Sequence, residues 1–360
     1  MSNGVSIYPG LDNSLDENLQ LLESASRLGM RKVFTSFHIP ETDIDRFSKD
    51  VHILFEKARK LDMEIISDMS PAAQELLDIS LDDLKSLSRM NITTLRLDYG
   101  FSAEDAARIS NDKSGLRIQL NASSVTEVFL DELESCNADF SRIDALHNFY
   151  PREYTGLGCD FISDKTALLH KFGISTGAFV PSLEGHRRSP FHAGLPTLEM
   201  HRHLHTDLAA RHLMAMGLDY IIISDSLPTY DELSAVANAD NGVTTIKAHM
   251  LLQDDISSNM LSGTFHERSD AAEYAVRTQE SRLRAKERGL QIAADNTSAR
   301  QVGAITIDNE RYGRYMGELE IIKKPLPADS RTNVAAVIPA EERFLIGEIH
   351  PGDAFRFILC

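Results

Sequence analysis

The sequence predicts an α/β protein in which a (β/α)8 TIM barrel is followed by a small β-rich domain. Three observations predict it: apolar runs recur at the spacing of one βα unit, amphipathic segments lie between them, and short alternating runs replace this pattern after residue 241. The 360 residues suit one large domain with one small one. With 42% apolar and 25% charged residues, the chain can bury a sizeable core.

Eight short runs rich in Val, Ile and Leu have the composition of parallel strands covered by helices. Their starts lie 22 to 44 residues apart, near the size of one βα unit. Eight such units predict a closed barrel over residues 1–241. The runs are Val5–Tyr8, Lys32–Phe37, Glu64–Asp68, Thr94–Asp98, Leu116–Asn121, Arg142–His147, Thr176–Pro181 and Tyr220–Ser224.

The segments between the runs have the pattern of amphipathic helices. Ser14–Glu17 is a capping box that predicts the start of the first helix, and Gly29 is placed to end it. The second helix is predicted from apolar residues three or four positions apart over 44–61. An open doubly wound sheet is disfavoured, because the loop after the first run, Pro9–Asp12, has no dinucleotide-binding fingerprint.

Residues 242–360 change to short alternating runs with many Gly, Pro and Arg, at 303–308, 315–322, 333–338 and 355–359. This pattern predicts a separate β-rich domain.

The charge and the cysteines exclude several classes of function. With 37 Lys and Arg against 54 Asp and Glu, the net charge is −17, which argues against a nucleic acid or an anionic membrane as the main partner. No run of about 18 apolar residues and no signal-peptide pattern are present, so we expect a cytoplasmic protein. Three cysteines without CxxC spacing predict neither a disulfide framework nor a zinc site.

Polar residues end most of the predicted strands, and this is the end of a TIM barrel that carries the active site. Asp68 and Asp98 end adjacent strands, and paired carboxylates perform glycoside hydrolysis. Arg96 shares a strand face with Asp98, which suits either a substrate anion or a structural Arg–Asp pair. We predict Asp68 and Asp98 as catalytic. The predicted substrate-binding residues are Tyr8, Arg96, Asn121, His147, Asn148, Tyr150, Arg152, Arg188 and Asp225.

A long loop after the seventh run carries Arg187 and Arg188, where barrels often bind phosphate. A solvated basic loop would have the same composition. His201 and His205 have a spacing compatible with metal ligands, but no HExxH pattern or third ligand accompanies them. We therefore expect no metal and no cofactor.

Four parts of the sequence resemble one known family: Asp98–Phe101, His147–Leu157, Gly194–Arg202 and Ile305–Tyr315. The chain resembles, over nearly its whole length, the family formerly described as outer surface proteins, which contains the bacterial 6-phospho-N-acetylmuramidases. The resemblance implies a barrel followed by a cyclophilin-like β domain. It also implies a cytosolic, exo-acting hydrolase of 6-phosphorylated MurNAc–GlcNAc disaccharides in peptidoglycan recycling.

The leading hypothesis is a glycosidase whose partner is a phosphorylated amino-sugar disaccharide, with Asn121, His147 and Asn148 orienting hydroxyl or acetamido groups. A phosphosugar aldolase or isomerase is the second enzyme class, weakened because no Lys ends a strand. A non-catalytic carbohydrate-binding protein is the alternative outside enzymes. The sequence leaves open a homo-oligomer, the stereochemistry, and which carboxyl is acid or base.

Overall fold

The computed structural model describes residues 2–36, 39, 41–69, 84, 87, 90–97, 100–240 and 242–360. It divides into two compact units. The first comprises Met1–Leu213 and Gly217–Ala239, and the second comprises Met214–Met216 and Asp240–Cys360. Within the described residues, no helix has the length and apolar character needed to cross a membrane.

The first unit is a closed barrel of eight parallel strands in sequential order, with β1 paired to both β2 and β8. The predicted TIM barrel is therefore confirmed. Each predicted run forms a strand whose ends differ from the prediction by at most two residues. The strands are β1 Gly4–Ser6, β2 Lys32–Thr35, β3 Glu64–Met69, β4 Thr94–Leu97, β5 Arg117–Asn121, β6 Ile143–Leu146, β7 Ser175–Val180 and β8 Tyr220–Ile223.

Helices follow the strands as the amphipathic pattern predicts. The described helices of this unit are α1 Leu15–Arg27, α2 Ile44–Lys60, α3 Ala103–Ser110, α4 Glu127–Ser135, α5 Cys159–Lys171, α6 Thr206–Ala215 and α7 Tyr230–Ala237. The capping box of α1 is present: the Ser14 side chain accepts from the Glu17 amide, and the Glu17 carboxylate accepts from the Ser14 amide. Gly29, with φ 86°, adopts the left-handed conformation that ends this helix.

Strand alternation directs every second side chain into the barrel interior, and these inward side chains form an apolar side and a polar side. The apolar side is a buried cluster of residues from β2, β3, β6, β7 and β8 and from the loops after β1 and β7: Phe34, Ile66, Leu146, Phe179, Tyr220, Ile222, Tyr8 and Leu195. The polar side contains the inward residues Arg96 of β4 and Gln119 of β5, which are fully or nearly fully buried. At the carboxyl-terminal end of the strands, one side of the interior therefore presents apolar side chains and the other presents polar ones.

A charged cluster occupies the amino-terminal end of the interior. The Lys32 ammonium lies 2.6 Å from Glu64 and 3.2 Å from Asp144. Gln119 donates from one amide nitrogen to Asp144 and to the Tyr220 hydroxyl, both at 3.1 Å. Burial raises the pKa of Asp144, while Lys32 opposes this shift. Lys32 offsets the charge of one of these two carboxylates, and the Arg117 guanidinium lies 3.8 Å from Glu64.

The second unit is a seven-stranded mixed sheet in the order β10-β15-β9-β14-β12-β13-β11, in which β15 and β9 are parallel and the other pairs antiparallel. The β-rich prediction is confirmed, and a cyclophilin-like fold stays a prediction. Three strands, β9 to β11, have no counterpart among the predicted runs. The elements are β9 Val243–Met250, α8 Asp255–Leu261, β10 Thr264–His266, β11 Ala275–Arg277, α9 Ser281–Glu287, β12 Ala304–Asp308, β13 Leu319–Ile322, β14 Thr332–Val337 and β15 Ala354–Leu359.

Substitution of Gly177 tests how tightly the barrel interior is packed. A Cβ built on Gly177 would lie 2.2 Å from the buried Tyr220 ring, so Gly177→Ala should destabilise the barrel by about 3 kcal/mol. Urea unfolding followed by circular dichroism measures this. Gly158→Ala is the matched control, because its Cβ meets nothing within 4 Å, and it should cost less than about 1 kcal/mol. Equal losses would show that the Tyr220 contact is not the constraint.

Candidate active site

A buried arginine organises the polar side at the carboxyl ends of the strands. The Arg96 side chain is 3% exposed, and its Nε lies 3.2 Å from Asp68 Oδ1. Its Nη2 donates to Asn148 Oδ1 at 2.6 Å, and its Nη1 donates to the Leu146 carbonyl at 2.8 Å and to Gln119 Oε1 at 3.3 Å. The structure therefore brings together three of the predicted residues, Asp68, Arg96 and Asn148.

The contact with Arg96 sets the chemistry of Asp68. A carboxyl group beside a buried guanidinium is favoured in its ionised form. The Asp68 side chain is 15% exposed, so part of it is accessible to solvent. An ionised, partly accessible carboxylate can act as a base or a nucleophile. Its predicted partner, Asp98, lies outside the described residues.

His147 does not face the barrel interior. Its neighbours do, because Leu146 belongs to the interior cluster and Asn148 binds Arg96, so alternation directs the His147 ring toward the helices. The ring is fully buried, and its Nδ1 lies 3.2 Å from Ser123 Oγ. Burial, with the positive charges of Arg96 and Lys165, lowers the pKa of His147 to about 3. At neutral pH this ring is therefore uncharged, and it lies between the strands and the helices rather than inside the barrel.

Asn121 lines a cavity of about 220 Å³ at the ends of β4 and β5. Its Oδ1 accepts from the Ser123 amide at 3.1 Å, which fixes the turn after β5. The lining residues are Leu97, Phe101, Leu120, Asn121, Ser124, Val125, Thr126 and Phe129. This cavity is amphipathic, with one amide and two hydroxyl groups among apolar side chains.

Arg188 lies on the apolar side of the mouth. Its Cζ is 5.0 Å from the centre of the Tyr8 ring and 5.1 Å from that of the Phe149 ring. Burial is the main cause that raises the pKa of Tyr8 to about 12, and the Tyr8 hydroxyl donates to the Ser224 carbonyl at 2.7 Å. Tyr8 and Arg188, both predicted as substrate-binding residues, are thus in contact.

Asp225 has a positioning function in this loop. Its two carboxylate oxygens accept from the backbone amides of Ser182 at 2.9 Å and Arg188 at 3.0 Å. The side chain is completely buried, and burial raises its pKa, although these two amides oppose the shift. Asp225 therefore holds the backbone of Arg188, and both of its oxygens are occupied by amides.

Arg202 joins the loops that follow β6 and β7. Its guanidinium donates to both oxygens of Glu199 at 2.7 Å and to the carbonyls of Tyr150 and Arg152 at 3.0 and 3.2 Å. The hydrogen bond from Arg202 lowers the pKa of Glu199 to about 2, with help from the Tyr154 and Gly156 amides. The backbone of Tyr150 and Arg152 is thereby fixed, while the Arg152 side chain is exposed.

His201 and His205 do not form a metal site. His201 ends a short 3-10 helix, Glu199–His201, and its Nε2 lies 2.9 Å from His212 Nδ1. The His205 side chain is 72% exposed and lies 3.6 Å from Glu184. Within the part of the chain that is described, no group of three or more His, Cys, Asp or Glu residues is arranged to hold a metal ion.

Both halves of the chain match models of one family. Residues 3–238 match 6-phospho-N-acetylmuramidase, N-terminal, and residues 245–358 match 6-phospho-N-acetylmuramidase, C-terminal. The chain belongs to the 6-phospho-N-acetylmuramidase family. The expected family resemblance is thereby confirmed.

Two solved structures are similar to this family member over nearly their full length. One is an uncharacterized B. cereus protein with 28% identity and a TM-score of 0.87, with 99% of each chain covered. The other is a conserved Enterococcus faecalis protein with an unknown function, with 32% identity, a TM-score of 0.69, and coverage of 100% of this chain and 96% of that one. No curated protein matches the chain.

Glu232, which is not among the residues predicted from the sequence, shapes the loop after β7 in this 6-phospho-N-acetylmuramidase family member. Its carboxylate forms a capping box with Thr229 at the start of α7. The Thr229 and Glu232 spacing is a local sequence signal from which this role in capping could have been predicted. It also accepts from the Leu183 and Glu184 amides at 2.7 and 3.0 Å and from the Thr206 hydroxyl at 2.7 Å. Burial opposes ionisation, but these hydrogen bonds lower its pKa to about 2.

Replacing Glu232 should change the pH dependence of stability. Its folded pKa is depressed from 4.5 to about 2, so its stabilisation is fully present above pH 4.5 and is lost as pH falls toward 2. Glu232→Gln should therefore lose about 2 to 3 kcal/mol at pH 7 and approach the wild type in acid. Urea unfolding across this pH range measures the difference.

The control is Glu17→Gln, which changes the same capping-box chemistry on α1, where the carboxylate is exposed and binds only Ser14. It should lose less stability than Glu232→Gln. A Glu232→Gln protein whose stability parallels that of the wild type at every pH would contradict the assignment.

Proposed function

We propose that this protein is a glycosidase that hydrolyses a 6-phosphorylated MurNAc–GlcNAc disaccharide in the recycling of cell-wall sugars. The carboxylate of Asp68, held by Arg96 at the end of β3, carries the proposal. It stands at the barrel end where TIM-barrel enzymes perform their chemistry. The match of both halves to 6-phospho-N-acetylmuramidase models supports the substrate class. We assign the reaction to the cytoplasm.

In this proposal Asp68 acts in its ionised form, as the base or the nucleophile, because Arg96 stabilises its negative charge. Proton donation to the leaving oxygen then falls to the second carboxyl, for which Asp98 is the candidate. Asn148 is held by Arg96 at the same end of the barrel and would position a sugar hydroxyl or the acetamido group. No cofactor takes part in this scheme.

The substrate test uses the purified chain with phosphorylated and unphosphorylated MurNAc–GlcNAc, followed by mass spectrometry. We expect release of two monosaccharides from the phosphorylated disaccharide only. Equal cleavage of both compounds would overturn the phosphate requirement. If neither is cleaved, the proposed activity is wrong.

Substitution of the carboxyl groups tests the catalytic assignment. Asp68→Asn and Asp98→Asn should each lower turnover by roughly 10²-fold or more while the protein stays folded, because a general acid or base contributes about 10² to 10⁴. Turnover and melting temperature are measured on the same preparations.

Asp144→Asn is the matched control for these variants. Asp144 is also an inward, ion-paired carboxylate of the barrel, but it lies at the amino-terminal end. It should lower the melting temperature and leave the turnover of the folded protein nearly unchanged. Near-native turnover in a folded Asp68→Asn protein would instead make the Asp68–Arg96 pair structural.

A further inference from the structure

Arg188 is a buried cation that forms no ion pair with a carboxylate among the described residues. The residue is 7% exposed, and its Nε is buried without a hydrogen-bond partner. Within the described residues, no carboxylate oxygen lies within 4.0 Å of this guanidinium, and its one side-chain hydrogen-bond partner is the neutral Tyr8 hydroxyl. Burying an unpaired charge costs several kcal/mol, so a site of this kind is expected to receive an anion from a ligand.

The nearby carboxylates that the structure describes do not contact the Arg188 guanidinium, although the charge of Asp225 attracts it at longer range. Tyr8 stays protonated at neutral pH because burial raises its pKa to about 12. Asp225 directs its two oxygens to the amides of Ser182 and Arg188. Asp12, in the loop after β1, accepts from the Ser189 amide at 2.9 Å and the Ser226 hydroxyl at 2.8 Å. Asp225 and Asp12 thus hold the backbone of the loop that carries Arg188, while the Tyr8 hydroxyl donates to the Ser224 carbonyl.

The surroundings of Arg188 are apolar. The Phe149 ring, which lies against its guanidinium, packs edge-on to Phe34 and Phe179, with centroid distances of 6.0 and 5.0 Å. Phe149 also packs against the interior cluster that contains Tyr8. The site therefore combines one positive charge with apolar walls on two sides.

The proposed substrate has two anionic groups, a phosphate and a lactyl carboxylate, and these surroundings favour the carboxylate. A phosphomonoester carries a charge of about −1.5 to −2 at neutral pH, so one guanidinium would leave excess negative charge between aromatic rings. A lactyl ether carries a carboxylate with a single negative charge and a methyl group on the same carbon. The carboxylate matches the charge and the planar fork of a guanidinium, and the methyl group suits the aromatic walls.

We propose that Arg188, between Tyr8 and Phe149, binds the lactyl carboxylate of the muramic acid sugar and thereby selects it over a glucosamine sugar. This inference rests on the proposed function for its choice of ligand. Arg188 is a specificity-determining residue in this assignment, and the 6-phosphate binds elsewhere.

The test measures binding by calorimetry, so that it does not depend on turnover. The ligands are MurNAc 6-phosphate and GlcNAc 6-phosphate, which differ by the lactyl group, and the proteins are the wild type and Arg188→Met. The wild type should bind MurNAc 6-phosphate about 10²-fold more tightly, since loss of a buried, hydrogen-bonded charge pair has an effect of this size. Arg188→Met should lose this preference and retain its affinity for GlcNAc 6-phosphate.

Arg187→Met is the matched control. The neighbouring Arg187 guanidinium donates to the Ser182 and Arg202 carbonyls at 2.9 and 3.1 Å, so its loss should lower the melting temperature and leave the ligand preference intact. Should Arg188→Met not fold, the lactyl methyl ester of MurNAc 6-phosphate tests the wild type directly. The ester should bind about 10²-fold more weakly than the free acid.

The outcomes separate this inference from the proposed function. An equal loss of affinity for both sugars in Arg188→Met would mean that Arg188 binds the phosphate, and the inference would be wrong. Equal binding of both sugars by the wild type would also overturn it, even if the phosphorylated disaccharide is hydrolysed. A lactyl preference that depends on Arg188 in a protein without hydrolase activity would overturn the proposed function alone. Absence of binding of either sugar would overturn the inference, while the cleavage assay decides the proposed function.

Discussion

The Arg96 guanidinium must be neutralised and hydrogen-bonded inside the barrel, and this requirement fixes polar groups on neighbouring strands. Its partners are Asp68 on β3, Gln119 on β5, and the Leu146 carbonyl and Asn148 side chain at the end of β6. A shift of any of these strands by one residue would turn its side chain away from the interior and leave a buried charge incompletely paired. The cation thus couples the register of β3 to β6 to the position of the candidate catalytic carboxylate.

Gln119 extends this constraint through the barrel, because its amide oxygen accepts from Arg96 and its amide nitrogen donates to Asp144. Charged groups at both ends of the interior are therefore linked along one side, while aromatic and aliphatic side chains fill the other. A sugar has hydroxyl edges and apolar faces, so a mouth with one polar and one apolar side can bind both surfaces of the same ring. The positions of Asp68 and Arg188 on these two sides follow from that division.

Much of this arrangement could be predicted from the sequence, where the signal was periodic. The eight strands were predictable because a buried parallel strand requires a short apolar run. A structural Arg–Asp pair was one of the alternatives for Arg96, but alternation placed Arg96 with Asp98, and its contact with Asp68 on the neighbouring strand comes from the structure. The orientation of His147 could not be predicted in the same way. In the run Arg142–His147, apolar residues occupy both faces, so the sequence does not reveal which residues point inward. Only the contacts of Leu146 and Asn148 settle that His147 faces the helices.

The contacts that hold the loops were not predictable, because they join residues about 40 to 50 positions apart in sequence and leave no local pattern, as in the bonds of Glu199 to Gly156 and Glu232 to Leu183. Residue type alone makes Glu199, Asp225 and Glu232 as attractive as Asp68 for acid–base chemistry. Their surroundings separate them, since each of the three accepts at least two backbone amides and so fixes a loop. Asp68 instead lies beside a side-chain cation at a strand end and keeps an exposed fraction of 15%. A carboxylate bound by amides has its lone pairs directed into the protein, whereas one held by a cation at the mouth can keep an oxygen directed toward a substrate.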